Sequence, residues 1–400
     1  MMEFSQPHSL TALYRITTPM FLGGAQQQAD SEQFRNASFK GALRFWWRAL
    51  NWGRVLREAG GDTTQALRTL HDQEGALFGL ASDGEHSRQS AVQIVSTLRD
   101  AKRVEQGSDL PGVGYLLGLG LYHFRERVLR PYIQGGEVTI TLRFKPGTAA
   151  ADIDAVRQAA IALGFFGGLG SRARKGLGSM ALQSLRQNGA VAQDFTTEQS
   201  LKDFVATLDF SAPADAPLSA LTQGTRIDLS LTAPSALGAL TAVSKEMQLY
   251  RSYGQEGMVG GQPARRNFVA DHNNVLAATQ GKVLQQLPER AVFGLPHNYF
   301  FSSTKGKLDM TAENEGRRAS PLLVHIHAFN DGRFAAIQTL LPGIFLPSST
   351  KVDVKVGNRK AISSPETSVD FDVITRYLDG FVGKAKDFPN FQTLRAPHRG

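Results

Sequence analysis

From Leu10 to Ile16 apolar and polar residues alternate loosely, and Pro19 with the pair Gly23–Gly24 closes the stretch, which predicts a strand running into a loop. Phe39, Ala42, Leu43, Trp46, Ala49 and Leu50 then recur at intervals of three and four. That spacing predicts a helix with one buried face, capped by Asn36 or Ser38. Val92, Ile94 and Leu98 fit a second strand. Strict alternation returns in EVTITLRFK, where Val138, Ile140, Leu142 and Phe144 interleave with Thr139, Thr141, Arg143 and Lys145, the pattern of a half-buried strand with a polar, partly basic outer face. Ile153, Val156, Ala160 and Leu163 mark a second amphipathic helix, and Met180 and Leu182 open a last strand.

The order β-α-β-β-α-β is that of a ferredoxin-like (RRM-type) unit, an antiparallel sheet with both helices on one face and the other face available. From about Asn188 to Thr225 periodicity fades into Ala, Thr, Ser, Asp and Pro, as expected of an interdomain connection. The chain also echoes itself at a shift of 215 positions. Thr17, Pro19, Leu22 and Gly23 recur as Thr232, Pro234, Leu237 and Gly238; Ala76–Leu80 recurs as Ala291–Leu295; and Leu163, Phe166 and Gly168 recur as Leu378, Phe381 and Gly383. Three echoes in order at one spacing imply duplication. The expected fold is therefore α+β, two fused ferredoxin-like domains at 1–190 and 225–400 joined by a linker at 191–224, with second-half strands at 226–231, 322–328 and 335–341 and a helix around 368–382.

Composition narrows the function. Hydrophobic residues make up 42% of the 400 and charged ones 20%, so the chain buries real cores rather than remaining disordered. There are no cysteines, which excludes disulfides, a thiol nucleophile and Cys-ligated metal, and fits a reducing cytoplasm. No apolar run is long enough to span a membrane, and the start lacks a secretory pattern. The net charge of +8 favours a polyanionic partner.

Two motifs could grip such a partner. In Gly167-Gly-Leu-Gly-Ser-Arg-Ala-Arg-Lys-Gly-Leu-Gly-Ser179, glycines 167, 168, 170, 176 and 178 and Ser171 surround Arg172, Arg174 and Lys175. Glycines permit close backbone approach and an anion-binding nest of amides, to which the three cations add charge. The stretch follows a helix and precedes a strand and lacks Gly-Lys-Ser/Thr, so it is neither a dinucleotide fingerprint nor a P-loop. A solvated turn with solubilising arginines is the plain alternative. In Ser38–Leu50, Lys40, Arg44 and Arg48 are four apart and would form a basic stripe beside Gly41 and Trp47, the tryptophan stacking on a base or packing inside. Arg265–Arg266 and Arg317–Arg318 are further basic spots. His325 and His327 share a strand face, but no third Asp, Glu or His stands at a ligand spacing. We therefore expect no metal, no cofactor and no catalytic residue.

At ITTPMFLGG, FKGALRFWWRAL, FGGLGSRARKGLGS, AVFGLP and RRASPL, which run from position 16 to 321, the sequence resembles the RAMP proteins of CRISPR systems, and among them subunit one of the type III-B Cmr complex. The resemblance implies two fused RRM-like domains in a noncatalytic subunit at the end of the complex near the 3′ part of the guide RNA. Its partners would be guide RNA, target RNA and other Cmr subunits. The RNA-facing elements would be the loop Gly167–Gly178 and the segment 41–44. An endoribonuclease that processes guide precursors, and a structural cap that touches only protein, are the rival readings.

Overall fold

A computed structural model of the chain describes residues 8–23, 34–80, 87–252, 257–284, 286–313, 316–357, 359–364, 368–382, 388 and 390–398. Gly24, which closes the first predicted strand, and Gly383 of the repeat lie outside the described residues.

In the first half, β1 (Ser9–Ile16), α1 (Asn36–Glu58), α2 (Thr63–Phe78), β2 (Val92–Arg99), β3 (Glu137–Phe144), α3 (Ala150–Phe166) and β4 (Met180–Gln187) follow in order. The strands form one antiparallel sheet in the order β2-β3-β1-β4, extended by Gln193–Asp194. Alternation decides its faces. Leu10, Ala12, Tyr14 and Ile16 of β1 and Val138, Ile140, Leu142 and Phe144 of β3 are buried against α1 and α3, while Thr11, Arg15, Thr139 and Arg143 point outward. The sequence does not show α2, which starts where the Asp62 carboxylate accepts from the amides of Thr64 and Gln65 and which packs along α1.

The segment 191–224, where periodicity fades in the sequence, is ordered. It holds α4 (Glu198–Ala206), started by a reciprocal Thr197–Ser200 capping box, and buries Phe195, Leu201, Phe204 and Val205 in the same core as α3. Nine helical residues give too short a stripe to stand out by periodicity.

The second half repeats the strand arrangement. β5 (Arg226–Ala233), α5 (Ala236–Arg251), α6 (Val269–Thr279), β6 (His297–Phe300), β7 (Lys307–Ala312), β8 (Leu322–Ala328), β9 (Phe334–Leu340), β10 (Val352–Val356), β11 (Arg359–Ser364), α7 (Asp372–Val382) and β12 (Gln392–Arg395) complete the chain. One sheet runs β8-β9-β5-β12 and a second β6-β7-β10-β11. In the first of these, Leu323, Phe329, Ala335, Ile337, Ile227 and Leu229 join the core of the first half, whereas Leu322, Val324, Ile326, Ala336 and Leu340 join a second core with α5 and α7. This sheet is buried on both faces. All of β8 is buried, so the free sheet face expected of each unit exists only in the first half.

Candidate nucleic-acid interface

The glycine-rich loop is the seam between the halves. Val324 of β8 donates its amide to the Arg174 carbonyl at 3.0 Å, and the Ile326 amide donates to Ser179 Oγ at 3.1 Å. Thr17 Oγ1 donates to the Ile326 carbonyl at 2.6 Å and Thr18 Oγ1 to the Gly176 carbonyl at 2.7 Å. Residues of the TTPMFLGG stretch thus bind the loop and the second half together. Below them, β8 turns His325 and His327 onto the end of α3. His325 Nδ1 donates to the Gly167 carbonyl at 2.6 Å, and His327 Nε2 lies 2.9 Å from the Phe195 carbonyl. Both rings are sealed from water, and burial, reinforced at His325 by its neighbour His327, lowers them to about 3 and about 4, so both are neutral at pH 7. They fasten the two halves.

The glycines answer to this packing rather than to a ligand. A β-carbon on Gly178 (φ +63°) would sit 2.0 Å from the Leu169 carbonyl oxygen. One on Gly170 (φ +90°) would meet the Phe21 carbonyl at 2.6 Å, one on Gly176 (φ +83°) Leu240 at 2.7 Å, one on Gly168 the Gly178 carbonyl at 2.8 Å, and one on Gly167 the Trp46 ring at 2.6 Å. The amides of Gly167, Leu169, Ser171, Ala173, Lys175, Gly176 and Gly178 all donate to carbonyls of the protein itself. The expected amide nest is therefore not what the loop offers. Gly167, Gly176 and Gly178 are buried, and Gly170 and Arg172 form the exposed tip.

The α1 stripe is corrected as well. Arg44 Nε and Arg48 Nη1 each lie 2.5 Å from Glu74 Oε1, whose side chain is 4% exposed, so both guanidiniums serve a buried carboxylate of α2. Trp47 is 1% exposed and packs edge-on against Phe78, with no face left for a base. Lys40 and Gly41 lie in the early turns of α1, Gly41 exposed and Lys40 lowered by partial burial and by Arg44. Arg265 is ion-paired with Glu246, and Arg266 is exposed on the neighbouring turn.

What the seam does present is charge. Arg172 donates Nε to the Leu117 carbonyl (2.9 Å) and Nη2 to the Leu119 carbonyl (3.1 Å). Arg130 donates to Ser171 Oγ at 3.1 Å. Arg174 donates to the Ser320 carbonyl at 2.6 Å and lies 5.0 Å from the Phe45 ring centre. Carbonyls and rings hold these cations in place without cancelling their charge. The charges bearing on Arg172 are those of Arg317 and Arg130, on Arg174 that of Arg318, and on Lys175 those of Arg251 and Arg172, every one positive. Burial first and these neighbours second bring Lys175 down to about 7 and Arg174 to about 10. Arg130 and Arg251, which motif reading missed, stand far from the loop in sequence; only the fold gathers them.

The RAMP superfamily model matches residues 14–181, the span from β1 through the glycine-rich loop to the start of β4. Over this span the first half of the chain is similar to RAMP-superfamily proteins. That region contains the loop side of the cationic seam, and β8 of the second half closes it. A curated relative, the CRISPR system Cmr subunit Cmr1-2 of Pyrococcus furiosus, is 27% identical over 188 residues, covering 42% of this chain and 92% of the relative. The crystal structure of Cmr1 from Pyrococcus furiosus in its apo form matches with a TM-score of 0.53 at 16% identity, over 98% of this chain and 99% of that one. A chain in the cryo-EM structure of a type III-B Cmr-beta complex bound to cognate target RNA matches with a TM-score of 0.50 at 10% identity, over 94% of this chain and 99% of that one. At such identities the structural matches establish shared architecture alone, a mixed α/β chain with several antiparallel sheets. None of the described helices is long and apolar enough to cross a membrane.

Proposed function

We propose that the chain is a noncatalytic, RNA-binding subunit of a type III-B CRISPR (Cmr) effector complex, placed near the 3′ part of the guide and working with guide RNA, target RNA and neighbouring Cmr subunits in the cytoplasm. The observation that carries this reading is the seam itself, where the charges of Arg317 and Arg130 bear on Arg172, those of Arg251 and Arg172 on Lys175, and that of Arg318 on Arg174. Clustering like charge costs stability, and a polyanion crossing the seam removes that cost. Relatives named for the Cmr complex, and the fold shared with a chain of an RNA-bound Cmr-beta assembly, support the same reading.

The chain is, on this reading, two ferredoxin-like units made by duplication, at 1–190 and 225–400 with 191–224 between. Both principal sheets place their second, third, first and fourth strands side by side. The repeated turn is alike in detail. Gly79 (φ +81°) precedes Leu80, which pairs with Arg88, and Gly294 (φ +111°) precedes Leu295, which pairs with Arg318. Binding is sequence-tolerant, because the outer face of the first sheet offers Thr11, Arg15, Thr139, Thr141 and Arg143 rather than the aromatics that stack on bases. The absence of catalysis is supported by His325 and His327, which are neutral and sealed and so cannot reach a ribose hydroxyl.

The test is salt dependence. Changing Arg130, Arg172 and Arg317 together to Ala should reduce the slope of log affinity against log salt for single-stranded RNA by ~2, at ~0.7 per phosphate contact. An unchanged slope overturns the assignment of the seam, and clean cleavage of repeat RNA by the lone chain overturns the noncatalytic reading.

A further inference from the structure

The outermost strand of the first-half sheet, β2, pairs with β3 on one side only. Along such a strand the backbone groups of successive residues face alternately toward the partner and away from it. Ala91, just ahead of β2, turns its carbonyl to the Lys145 amide at 2.9 Å, on the β3 side. Ser90 Oγ donates to the Val92 carbonyl at 2.7 Å and Asn36 Nδ2 to the Ile94 carbonyl at 3.3 Å, on the open side. That phase brings the amides and carbonyls of Val92, Ile94, Ser96 and Leu98 to the open edge. Among the described residues, the Ile94 amide and both backbone groups of Ser96 and Leu98 have no hydrogen-bond partner.

The usual guards against such an edge are missing. β2 has no proline, its pairing with β3 runs through all its residues without a bulge, and its only charge is Arg99 at the end. Its inner face is also unfinished. Ile94 and Leu98 stay partly exposed, whereas Leu10, Ala12, Tyr14 and Ile16 of β1 and Val138, Ile140, Leu142 and Phe144 of β3 are none of them above 2%. The second half shows how an edge in this position is closed. In the order β8-β9-β5-β12, β8 holds the place that β2 holds in β2-β3-β1-β4. There the Val324 amide donates to the Arg174 carbonyl and the Ile326 amide to Ser179 Oγ, the Ile326 carbonyl accepts from Thr17 Oγ1, and Lys175 bridges Val324 in parallel. An extended segment of the neighbouring half thus fills the edge of β8. Among the described residues no segment does the same for β2.

We propose that the open edge of β2, from Ile94 to Leu98, is the docking site for an extended segment of a neighbouring protein subunit, added to the sheet as a further strand. Free amides and free carbonyls alternate along this edge. A second polypeptide backbone supplies acceptors and donors in the same alternation, whereas a phosphate backbone only accepts. The docked segment turns apolar side chains toward Ile94 and Leu98 and, on the other face, an acidic one toward Arg99. The inference rests on the reading of the chain as one subunit of an assembly, and not on its RNA contacts.

The experiment compares the lone full chain with the chain in its assembled complex, by hydrogen exchange resolved to single amides. The amides of Ile94, Ser96 and Leu98 should exchange freely in the lone chain and about tenfold or more slowly in the assembly, while those of Val95 and Thr97, which face β3, are protected in both. Two variants give a second readout. Ser96→Pro removes one outward amide from an edge strand and leaves the ladder to β3 whole, so the lone chain folds, and its incorporation into the assembly should fall about tenfold. Ser96→Ala loses only the bond of Ser96 Oγ to Asn36 Oδ1 and should incorporate as the unmodified chain does. Equal exchange at the three amides with and without the partner subunits, or full incorporation of Ser96→Pro, overturns the edge site alone. Slow exchange in the lone chain that fades on dilution identifies a second copy as the occupant and overturns the assignment to a neighbouring subunit. A chain that enters no assembly overturns this inference together with the assembly reading.

Discussion

The histidine pair under the seam predicts how the protein responds to acid. His325 and His327 are neutral in the fold at about 3 and about 4, while in the unfolded chain both return to about 6.5. Their folded values are depressed, so the unfolded chain binds more protons below pH 6.5, and stability falls as pH drops. A pH of 5 lies ~1.5 units below the unfolded value while each ring is still neutral in the fold, which amounts to ~2 kcal/mol per histidine and ~4 kcal/mol for the pair. That figure is nearly independent of how far below 5 the folded values lie. Against a typical total of about 5–15 kcal/mol it is large. The comparison variant is His325→Asn with His327→Gln, because an Asn amide reaches where His325 Nδ1 donates to Gly167 and a Gln amide where Nε2 of His327 meets Phe195. Urea unfolding at pH 7.5 and at pH 5 should show the unmodified protein losing ~4 kcal/mol more than the variant, since all other titrating groups are common to both. Equal losses would refute the burial of this pair at the seam.

Other outcomes follow from the same geometry. Glu74→Gln should destabilise by ~2 kcal/mol in urea unfolding, because it removes the charge that Arg44 and Arg48 share, and Arg44→Ala with Arg48→Ala should leave the salt slope of RNA binding unchanged. Gly178→Ala, whose β-carbon would meet the Leu169 carbonyl at 2.0 Å in a left-handed backbone, should cost ~3 kcal/mol or more. Gly41→Ala, with nothing within 4 Å and an exposed helical position, should stabilise by ~0.5–1 kcal/mol. Both glycine effects are read from the same urea midpoints.

The first-half sheet was legible because its strands are half-buried, and alternation at Val138–Phe144 records that directly. Strand β8 lies buried on both faces, so Leu322–Ala328 shows a continuous apolar run broken only by two histidines, and its position came from the shape of the run rather than from a period. The repeat at 215 positions implied a second set of strands without placing those at 322–328 and 335–341, which came from their own apolar runs, and in α5 it reached only Leu237 and Gly238 of the first turn. In the glycine-rich loop the composition was plain and its cause was hidden. Glycines that shelter a phosphate and glycines that admit Phe21, Leu240 and Val324 look the same until the neighbours are known. For the stripe Lys40, Arg44 and Arg48, helical spacing correctly placed the residues on one face, but Glu74 sits on another helix and could not be foreseen as their partner. Arg130 and Arg251 are unremarkable one by one, and their meaning arises from tertiary convergence with Arg172 and Lys175.

The most direct test of the seam as an RNA surface is photocrosslinking of 4-thiouridine-bearing guide and target RNA in the assembled complex, with the crosslinked peptides of this chain mapped by mass spectrometry. The account predicts adducts in 115–130, 170–175 and 317–320, on both sides of the junction. Adducts confined to the outer face of the first sheet, or absent from this chain while neighbouring subunits are labelled, would contradict it.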